Sequence, residues 1–355
     1  MSRGLDTVTE LLAPLDVSRR LEDDLVLRTA GGGEPLLVGD LARVDAGADV
    51  DVLERGAGAV RLSYRGPLGP LAAVRPYDAC AVVLAPAPPD GQAAGDAVLS
   101  RLRESLAGGL LSALLPDGAV RFRVSPLRGG RWELRDLVAR ELGWVNDPGR
   151  WDVNLEVMGG HLAAQVGAMF WSRRFAKLAR TPASTNPVVA ALMTRLLAPA
   201  GAGTVVDPCC GAGTLLVEAL AAAPGATVIG GDLSRPALRA ARRNLEAARA
   251  GAWSLYEGDA RRLPLGDGSV PRLTGNLPFG KRAGSHRENV ELYPALVAEV
   301  GRVLAPGGRA VLLTEEKRLL REALAAAGRL RLDREVTLEV GGLHPSAFVL
   351  SRPAP

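Results

Sequence analysis

The second half of the chain alternates short apolar runs with stretches of helical spacing. The strand-like runs are TVVDP, ATVIGGD, WSLYEGD, PRLTGNLP and RAVLLTE, beginning at Thr204. Apolar residues with helical periodicity lie between and after them, at 214–223, 235–250, 288–304 and 317–327. Strands that alternate with helices predict a mostly parallel sheet with helices on both faces.

The last two strand-like runs break this alternation. LDREVTLEV and SAFVLSR follow one another across a short turn at 341–345. Two consecutive strands predict an antiparallel hairpin at the end of the sheet. The predicted fold class is therefore α/β, with a Rossmann-like methyltransferase domain whose mostly parallel seven-stranded sheet ends in an antiparallel hairpin.

The first half has a less regular pattern. AVRLSYR, YDACAVVLAP and AVRFRVSP are strand-like, residues 98–115 and 133–142 have helical spacing, and VNLEVMGGHLAAQVG predicts a hairpin around two glycines. APAPPDG is typical of a surface loop, and the polar, basic segment 172–187 is typical of a linker. We expect a smaller α+β region in two lobes here, with Trp132, Trp144 and Trp151 in its cores.

Composition narrows the class of protein. The chain has 355 residues, of which 47% are hydrophobic, enough for two or three domains. No apolar run reaches about 18 residues without a charge, and Arg3, Asp6 and Glu10 interrupt the first residues. We therefore expect no membrane insertion, no secretory signal and a cytoplasmic location. Three cysteines and three scattered histidines predict neither a disulfide framework nor a metal site.

Charge is unevenly distributed along the chain. Residues 1–100 contain nine basic and 15 acidic side chains, a net charge of −6, whereas 101–180 and 181–355 each carry +5. A surface that faces a polyanion is therefore expected after residue 100.

A glycine-containing loop follows the first strand of the second half. In DPCCGAGT, glycines let the backbone approach a ligand, and the free N–H groups of the following helix attract an anion. Leu216 replaces the third glycine of the dinucleotide fingerprint, which disfavours NAD. Asp232 ends the second strand, where a carboxylate can accept from both ribose hydroxyls, and Asp259 ends the third, where it can accept from an adenine amino group.

This combination predicts S-adenosylmethionine as the cofactor. The residues expected to bind it are Asp207, Pro208, Cys209, Gly211, Gly213, Thr214, Asp232, Leu233, Asp259, Ala260 and Asn276.

The motif NLPFG at the end of the fourth strand predicts methyl transfer to an exocyclic amine. Such an amine is a poor nucleophile, so an enzyme must accept its hydrogens and align it with the methyl group. The Asn276 side chain and the Leu277 carbonyl can accept them, Pro278 stiffens the turn, and Phe279 offers a face for a flipped base. Methylation at a pyrimidine C5 would need a nucleophilic cysteine here, and the motif has none.

These motifs resemble the THUMP-domain tRNA guanine-N2-methyltransferases. The resemblance lies in DPCCGAGTLLVEA, GNLPFGKRAGSHRENVELYP and EVGRVLAPGGRAVLLTEEK, and its specific part covers about residues 180–355. The family motif is usually Asp-Leu-Pro-Phe-Gly-Lys-Arg; Asn276 replaces the Asp, which keeps the acceptor oxygen and loses the charge. RFRVSPLRGGRWELRDLVARELG and the following hairpin resemble the later part of a THUMP domain, and RGLDTVTELL resembles the ferredoxin-like region that precedes it.

The resemblance implies a domain order. It comprises a ferredoxin-like region at 1–75, a THUMP-like RNA-binding domain at 76–170, a linker at 171–187 and the methyltransferase domain at 188–355. The RNA-binding residues expected from it and from the basic charge are Lys281, Arg282, Arg121 and Arg128.

The activity that the resemblance implies is formation of N2-methylguanosine in tRNA, with guanine 6 of the acceptor stem favoured and guanine 10 next. It does not decide whether a small activator subunit is needed. Methylation of guanine N2 in ribosomal RNA or of adenine N6 stays open, as does a non-catalytic RNA-binding protein with a degenerate methyltransferase fold.

Overall fold

The computed structural model describes most of the chain and divides it into two compact units, Met1–Lys177 and Leu178–Pro355. The described residues are 16–44, 47–87, 95–127, 129–175, 177–199, 203–248, 251–279 and 286–354. The segment RGLDTVTELL, Arg128, Lys281 and Arg282 lie outside them, as does part of the APAPPDG loop.

The first unit is built on one sheet. Its described strands are β1 (Arg20–Arg28), β2 (Asp49–Gly56), β3 (Ala59–Pro67), β4 (Ala79–Pro86), β5 (Arg121–Val124), β6 (Val145–Asn146), β7 (Val153–Met158) and β8 (His161–Val166). They form a single eight-stranded sheet in the order β2-β3-β1-β4-β8-β7-β5-β6. Strands of both expected lobes therefore share a sheet, and the ferredoxin-like and THUMP-like assignments stay predictions.

Helices connect these strands. Within the described residues they are α1 (Glu34–Leu41), α2 (Leu68–Ala73), α3 (Gly95–Gly108), α4 (Leu110–Leu114), α5 (Arg131–Leu142) and α6 (Trp171–Arg174). The expected hairpin around Gly159 and Gly160 is present as β7 and β8. Sequence patterning missed β1, α1, β2 and α2.

The prediction of a single helix at 98–115 is wrong, because the helix is interrupted at Gly109. A Cβ on Gly109 would lie 2.1 Å from the buried carboxylate of Asp23. That carboxylate instead accepts from the Leu110 N–H at 2.9 Å. A long-range contact with β1 therefore ends α3 and starts α4, and nothing in the local pattern encodes it.

Arg174 departs from the linker interpretation of 172–187. Its side chain is fully buried in the first unit. The guanidinium donates to the backbone carbonyls of Met169, Ala72, Val74 and Tyr77. A buried arginine needs such acceptors for its several N–H groups, and here it joins the end of this unit to the α2 region.

The second unit confirms the predicted α/β fold. Its described strands are β9 (Thr204–Asp207), β10 (Thr227–Asp232), β11 (Ala252–Glu257), β12 (Val270–Asn276), β13 (Leu304–Thr314), β14 (Arg331–Thr337) and β15 (Ser346–Ser351). They form a seven-stranded sheet in the order β11-β10-β9-β12-β13-β15-β14. The pairs among β9 to β13 are parallel, and β15 is antiparallel to both of its neighbours.

Five helices are described in this unit: α7 (Pro187–Leu197), α8 (Thr214–Ala222), α9 (Arg235–Ala247), α10 (His286–Val303) and α11 (Lys317–Ala327). Four match the predicted positions closely. The pattern missed α7, which starts inside the segment interpreted as a linker; Asn186 caps it by accepting from the Val188 N–H at 2.8 Å. Buried side chains of β12, α10 and α11 form one core cluster, which includes Leu273, Tyr293 and Leu320.

The topology places the site. The chain runs outward from β9 through β10 to β11, then returns to β12 on the other side of β9. Ligands in open α/β sheets bind outside the carboxyl ends of the strands at such a switch point. Asp207 ends β9 and Asn276 ends β12, so the two motifs singled out in the sequence meet there.

Candidate active site

A cavity of about 480 Å³ lies at this edge of the second unit, a volume typical of small-molecule sites. Eleven of the predicted site residues line it: Pro208, Cys209, Gly211, Asp232, Leu233, Asp259, Ala260, Asn276, Leu277, Pro278 and Phe279. Asp207, Gly213 and Thr214 do not line the cavity. They lie at the end of β9, in the glycine-containing loop and at the start of α8, next to residues that do. Further wall residues come from the segment before α7 and from the turn between β14 and β15.

The glycine-containing loop is shaped by close packing. Gly213 has a φ of +74°, and a Cβ there would lie 3.1 Å from the Ala241 Cβ of α9. Gly211 also has a positive φ, +53°, and its N–H donates to the Asp232 carboxylate at 2.8 Å. Both positions require glycine for conformational or steric reasons.

Asp232 braces the loop as well as lining the cavity. One carboxylate oxygen accepts from Gly211 and the other accepts from the Ser234 N–H, also at 2.8 Å. Because each oxygen has two lone pairs, the carboxylate retains acceptor capacity toward the cavity. This fits the predicted role toward ribose hydroxyls, which stays a prediction.

Asp207 is buried at the end of β9. One oxygen accepts from the Cys209 N–H at 3.1 Å, and the other, Oδ2, is buried without a hydrogen-bond partner in the part of the chain that the structure describes. Burial, with a smaller contribution from the charge of Asp232, raises the pKa of Asp207 to about 8. A nearby cation would favour the ionised form.

The two cysteines of the loop are protonated thiols at neutral pH. Burial is the main cause that raises the pKa of both Cys209 and Cys210, and the carboxyl groups of Asp207 and Asp232 add to it. Because the thiolate is the nucleophile, neither side chain is suited to covalent catalysis. Their packing role matches the sequence-based expectation.

Asp259, which also lines the cavity, is paired with an arginine. It forms a bidentate ion pair with Arg261, whose hydrogen bonds are the main cause of the lowered pKa of this carboxyl group. The predicted contact with an adenine amino group would therefore share the carboxylate with Arg261. Leu233, which is 68% exposed, adds an apolar side chain to the cavity lining.

The turn after β12 is held by three contacts. The Leu277 N–H donates to the Leu313 carbonyl at 2.9 Å, and the Pro278 carbonyl accepts from the Tyr293 hydroxyl at 2.8 Å. The Asn276 Nδ2 donates to the Thr185 hydroxyl at 3.0 Å. The Asn276 Oδ1 is buried and has no hydrogen-bond partner among the described residues. Within the described part of the chain, an acceptor without a donor thus belongs to the side chain that the sequence predicts to accept from a substrate amine.

Sequence reasoning missed two helical residues that build this site. Tyr293, on α10, also contacts the Thr314 hydroxyl at 2.7 Å and so ties the turn to β13. Asn244, buried on α9, bonds to the backbone of Ala179 and to the Ala212 carbonyl. Their types gave no signal, because a Tyr or Asn on an amphipathic helix is ordinary; only the contacts assign the roles.

Arg121, predicted to bind RNA, lies on β5 of the first unit with half of its side chain exposed, 3.9 Å from Asp147. Trp132 was expected in a core, and this is wrong: it is 58% exposed on α5. The guanidinium groups of Arg131 and Arg135 lie 5.0 and 4.7 Å from its ring centroid. Trp144 is buried as expected.

No described helix combines the length and apolar character needed to cross a bilayer. No group of three or more His, Cys, Asp or Glu side chains among these residues has an arrangement that could hold a metal ion.

Sequence comparison connects the second unit to methyltransferases. Residues 174–346 match the family UPF0020, described as RMKL-like, methyltransferase domain. The chain is 36% identical over 185 residues to the tRNA (guanine(6)-N(2))-methyltransferase THUMP3 of Bos taurus, a match that covers 48% of this chain and 37% of that protein. It is 36% identical over 206 residues to the tRNA (guanine(6)-N2)-methyltransferase of Thermus thermophilus, which covers 56% of this chain and 60% of that one. The chain thus spans less than two thirds of these curated relatives.

Structural comparison extends the similarity to both units. The crystal structure of TrmN from Thermus thermophilus has a TM-score of 0.72 and 28% identity, and the match covers 93% of this chain and 99% of that chain.

Proposed function

We propose that this chain is an S-adenosylmethionine-dependent RNA methyltransferase that forms N2-methylguanosine in tRNA. The observation that carries the proposal is the buried Asn276 Oδ1, an acceptor that has no donor among the described residues, on a side chain that lines the same cavity as Gly211 and Asp232. The curated relatives named for guanine-N2 methylation support the same chemistry.

The cavity fits the proposed cofactor. Asp232 has acceptor capacity for ribose hydroxyls, and Leu233 offers an apolar face. When bound, S-adenosylmethionine supplies a methyl group on a positively charged sulfur. Asp259, Ala260 and the loop residues Pro208, Cys209 and Gly211 complete the wall around it.

The turn residues do the substrate chemistry. Asn276 Oδ1 and the Leu277 carbonyl accept the two hydrogens of the guanine amine and so direct its lone pair toward the methyl group. Phe279 stacks on the extruded base, and Pro278 with Tyr293 keeps the turn rigid. No strong base is required, because the amine becomes acidic only as the new N–C bond forms.

The first unit is proposed to bind the RNA as a THUMP-like region. Arg121 is exposed on β5, and Trp132 between Arg131 and Arg135 offers a stacking face next to positive charge. Lys281, Arg282 and Arg128 are proposed to contact phosphates. Guanine 6 is the favoured target, since the relatives' names specify it, and guanine 10 is next.

Nucleoside mass spectrometry tests this proposal. Purified protein is incubated with S-adenosylmethionine and unmodified tRNA, and the digested product should contain N2-methylguanosine. Asn276→Ala should lower the single-turnover rate about a hundredfold, because a positioned acceptor is lost, while the affinity for S-adenosylhomocysteine stays within about twofold. A C5-methylated pyrimidine, a ribose methylation or no methylation of any RNA would contradict the proposal. If the product is N6-methyladenine, or if the methylated RNA is ribosomal, methyl transfer to an amine is supported and the proposed substrate is wrong.

A further inference from the structure

The glycine-containing loop has few donors left for an anionic ligand. Four of its backbone N–H groups already donate to acceptors within the protein, those of Cys209, Cys210, Gly211 and Gly213. The start of α8, at Thr214, does not line the cavity. S-adenosylmethionine has a carboxylate at the end of its amino-acid tail, and a carboxylate in a cavity needs a cation or hydrogen-bond donors. This donor must therefore come from another segment.

Arg180 is the one lysine or arginine among the described residues that line the cavity. It is exposed, so its guanidinium can reach a ligand. Two other arginines at this edge of the sheet are paired, Arg261 with Asp259 and Arg235 with Glu257. In the part of the chain that the structure describes, the guanidinium of Arg180 has no such partner. The cavity therefore has one cation that an anionic group can engage.

The backbone before Arg180 is tied to the glycine-containing loop. The N–H and the carbonyl of Ala179 bond to the Asn244 side chain at 2.7 and 2.9 Å. The same Asn244 Nδ2 donates to the carbonyl of Ala212, within the loop, at 2.7 Å. Both carbonyls accept from one nitrogen atom, so Ala179 lies beside the loop. Arg180, the next residue, therefore starts from this part of the cavity.

The order of the strands indicates which part of the cofactor lies at this loop. In the proposed binding mode, Asp259 after β11 accepts from the adenine, and Asp232 at the end of β10 accepts from the ribose. Strand β10 lies between β11 and β9, and the glycine-containing loop follows β9. A cofactor that starts at β11 and crosses β10 thus has its amino-acid tail at the loop after β9. The carboxylate and Arg180 are then at the same end of the cavity.

We propose that Arg180 is a cofactor-binding residue whose guanidinium pairs with the carboxylate of S-adenosylmethionine. The inference rests on the proposed function through its cofactor and not through its RNA substrate. A guanidinium suits this role because it can donate two parallel hydrogen bonds to one carboxylate. The pair makes the site selective for the complete cofactor over adenosine derivatives that lack the carboxylate.

Calorimetry with the full chain and two ligands tests the proposal. S-adenosylhomocysteine has the carboxylate, whereas S-adenosyl-3-thiopropylamine keeps the adenosine, the sulfur and the amine but lacks it. The wild-type protein should bind S-adenosylhomocysteine at least about fivefold more tightly than the analogue, because only the former makes the charge-assisted pair. Arg180→Ala should weaken S-adenosylhomocysteine binding by about fivefold to tenfold and leave the affinity for the analogue within about twofold.

Two further variants define the cause. Arg180→Lys keeps the charge and loses the paired donor geometry, so it should retain part of the preference for S-adenosylhomocysteine. Arg239→Ala removes the same charge from an exposed position on α9 that does not line the cavity, and it should leave both affinities within about twofold. Binding of the analogue also reports that each variant folds.

Three results would overturn the proposal. Equal weakening of both ligands by Arg180→Ala would indicate a structural role, and an unchanged affinity for S-adenosylhomocysteine would show that the carboxylate does not contact Arg180. If Arg180→Ala instead weakened tRNA binding in a filter assay and left both ligand affinities unchanged, the guanidinium would belong to an RNA phosphate.

Failure of the proposed function has a different signature. A product other than N2-methylguanosine changes the proposed substrate and leaves the two-ligand comparison intact, because that comparison uses no RNA. Wild-type protein that bound neither ligand would overturn the proposed cofactor and the role of Arg180 with it.

Discussion

Asp207 shows how a single buried group can couple the site to pH. The carboxyl group is 1% exposed at the end of β9 and has one oxygen without a partner among the described residues. Its pKa is raised from an ordinary value of 3.8 to about 8, mainly by burial. Between these values the folded protein keeps the proton and the unfolded chain releases it, so stability must fall as pH rises through this window.

Asp207→Asn should remove this pH dependence. Between about pH 5 and pH 8, the wild-type protein should lose stability relative to the variant by up to about 1.4 kcal/mol per pH unit. The measurement is the midpoint of thermal unfolding at several pH values. Because the chain has two units that can unfold separately, the transition to follow is the one whose midpoint temperature increases when S-adenosylhomocysteine is added. Parallel pH profiles for the two proteins would mean that Asp207 is ionised throughout.

At the scale of elements, α9 connects two parts of the site. Asn244 accepts from the Ala179 N–H at 2.7 Å and donates to the Ala179 and Ala212 carbonyls at 2.9 and 2.7 Å. One side chain on this helix therefore holds both the glycine loop and the segment that leads to Thr185. The same helix supplies Ala241, which packs against Gly213.

Asn244→Ala should consequently weaken both stability and cofactor binding. Three backbone groups lose their partner, two of them at Ala179, and the expected cost is about 2 to 4 kcal/mol at roughly 1 kcal/mol per group. Affinity for S-adenosylhomocysteine should fall several-fold, since the loop is no longer fixed. The exposed neighbour Arg243 provides the control, and Arg243→Ala should change stability by less than about 0.5 kcal/mol. Affinity for S-adenosylhomocysteine is measured by calorimetry. Equal affinities of the Asn244→Ala and Arg243→Ala variants would contradict the role of Asn244 in holding the loop.

At the scale of the whole molecule, the distribution of charge along the chain matters for RNA. The net charge is only +4, but residues 1–100 are acidic and the rest is basic. Exposed arginines of the first unit, including Arg121 on β5, are the described groups proposed to meet the phosphate backbone. Each phosphate contact releases counterions, so affinity for tRNA should decrease steeply as salt concentration rises.

Arg121→Ala should reduce both affinity and salt dependence. The slope of log affinity against log salt should become shallower by about one, because one phosphate contact is lost. Arg318→Ala removes the same charge from an exposed position on α11 of the second unit and serves as the control. Filter binding of tRNA at several salt concentrations would contradict the assignment if the two variants had the same slope.

The sequence by itself determined the α/β class, the order of the strands of the second unit and of the four helices that follow β9, and the place of the two motifs. These features depend on local periodicity and on the positions of glycine and proline. Each is encoded within a single segment of the chain and needs no contact with a distant one. The terminal hairpin was predictable for the same reason, because two strand-like runs with no helix between them have few alternatives.

Only the tertiary structure decided which side chains complete the site. The break at Gly109 depends on Asp23, the burial of Arg174 depends on carbonyls about 100 residues away, and the exposure of Trp132 depends on which face of α5 is covered. The contacts of Thr185 with Asn276 and of Tyr293 with Pro278 likewise join segments that are distant in the chain. The sequence pattern around a polar residue on a helix or loop does not show which distant residue it will contact. These contacts form only when the sheet brings the strand ends together.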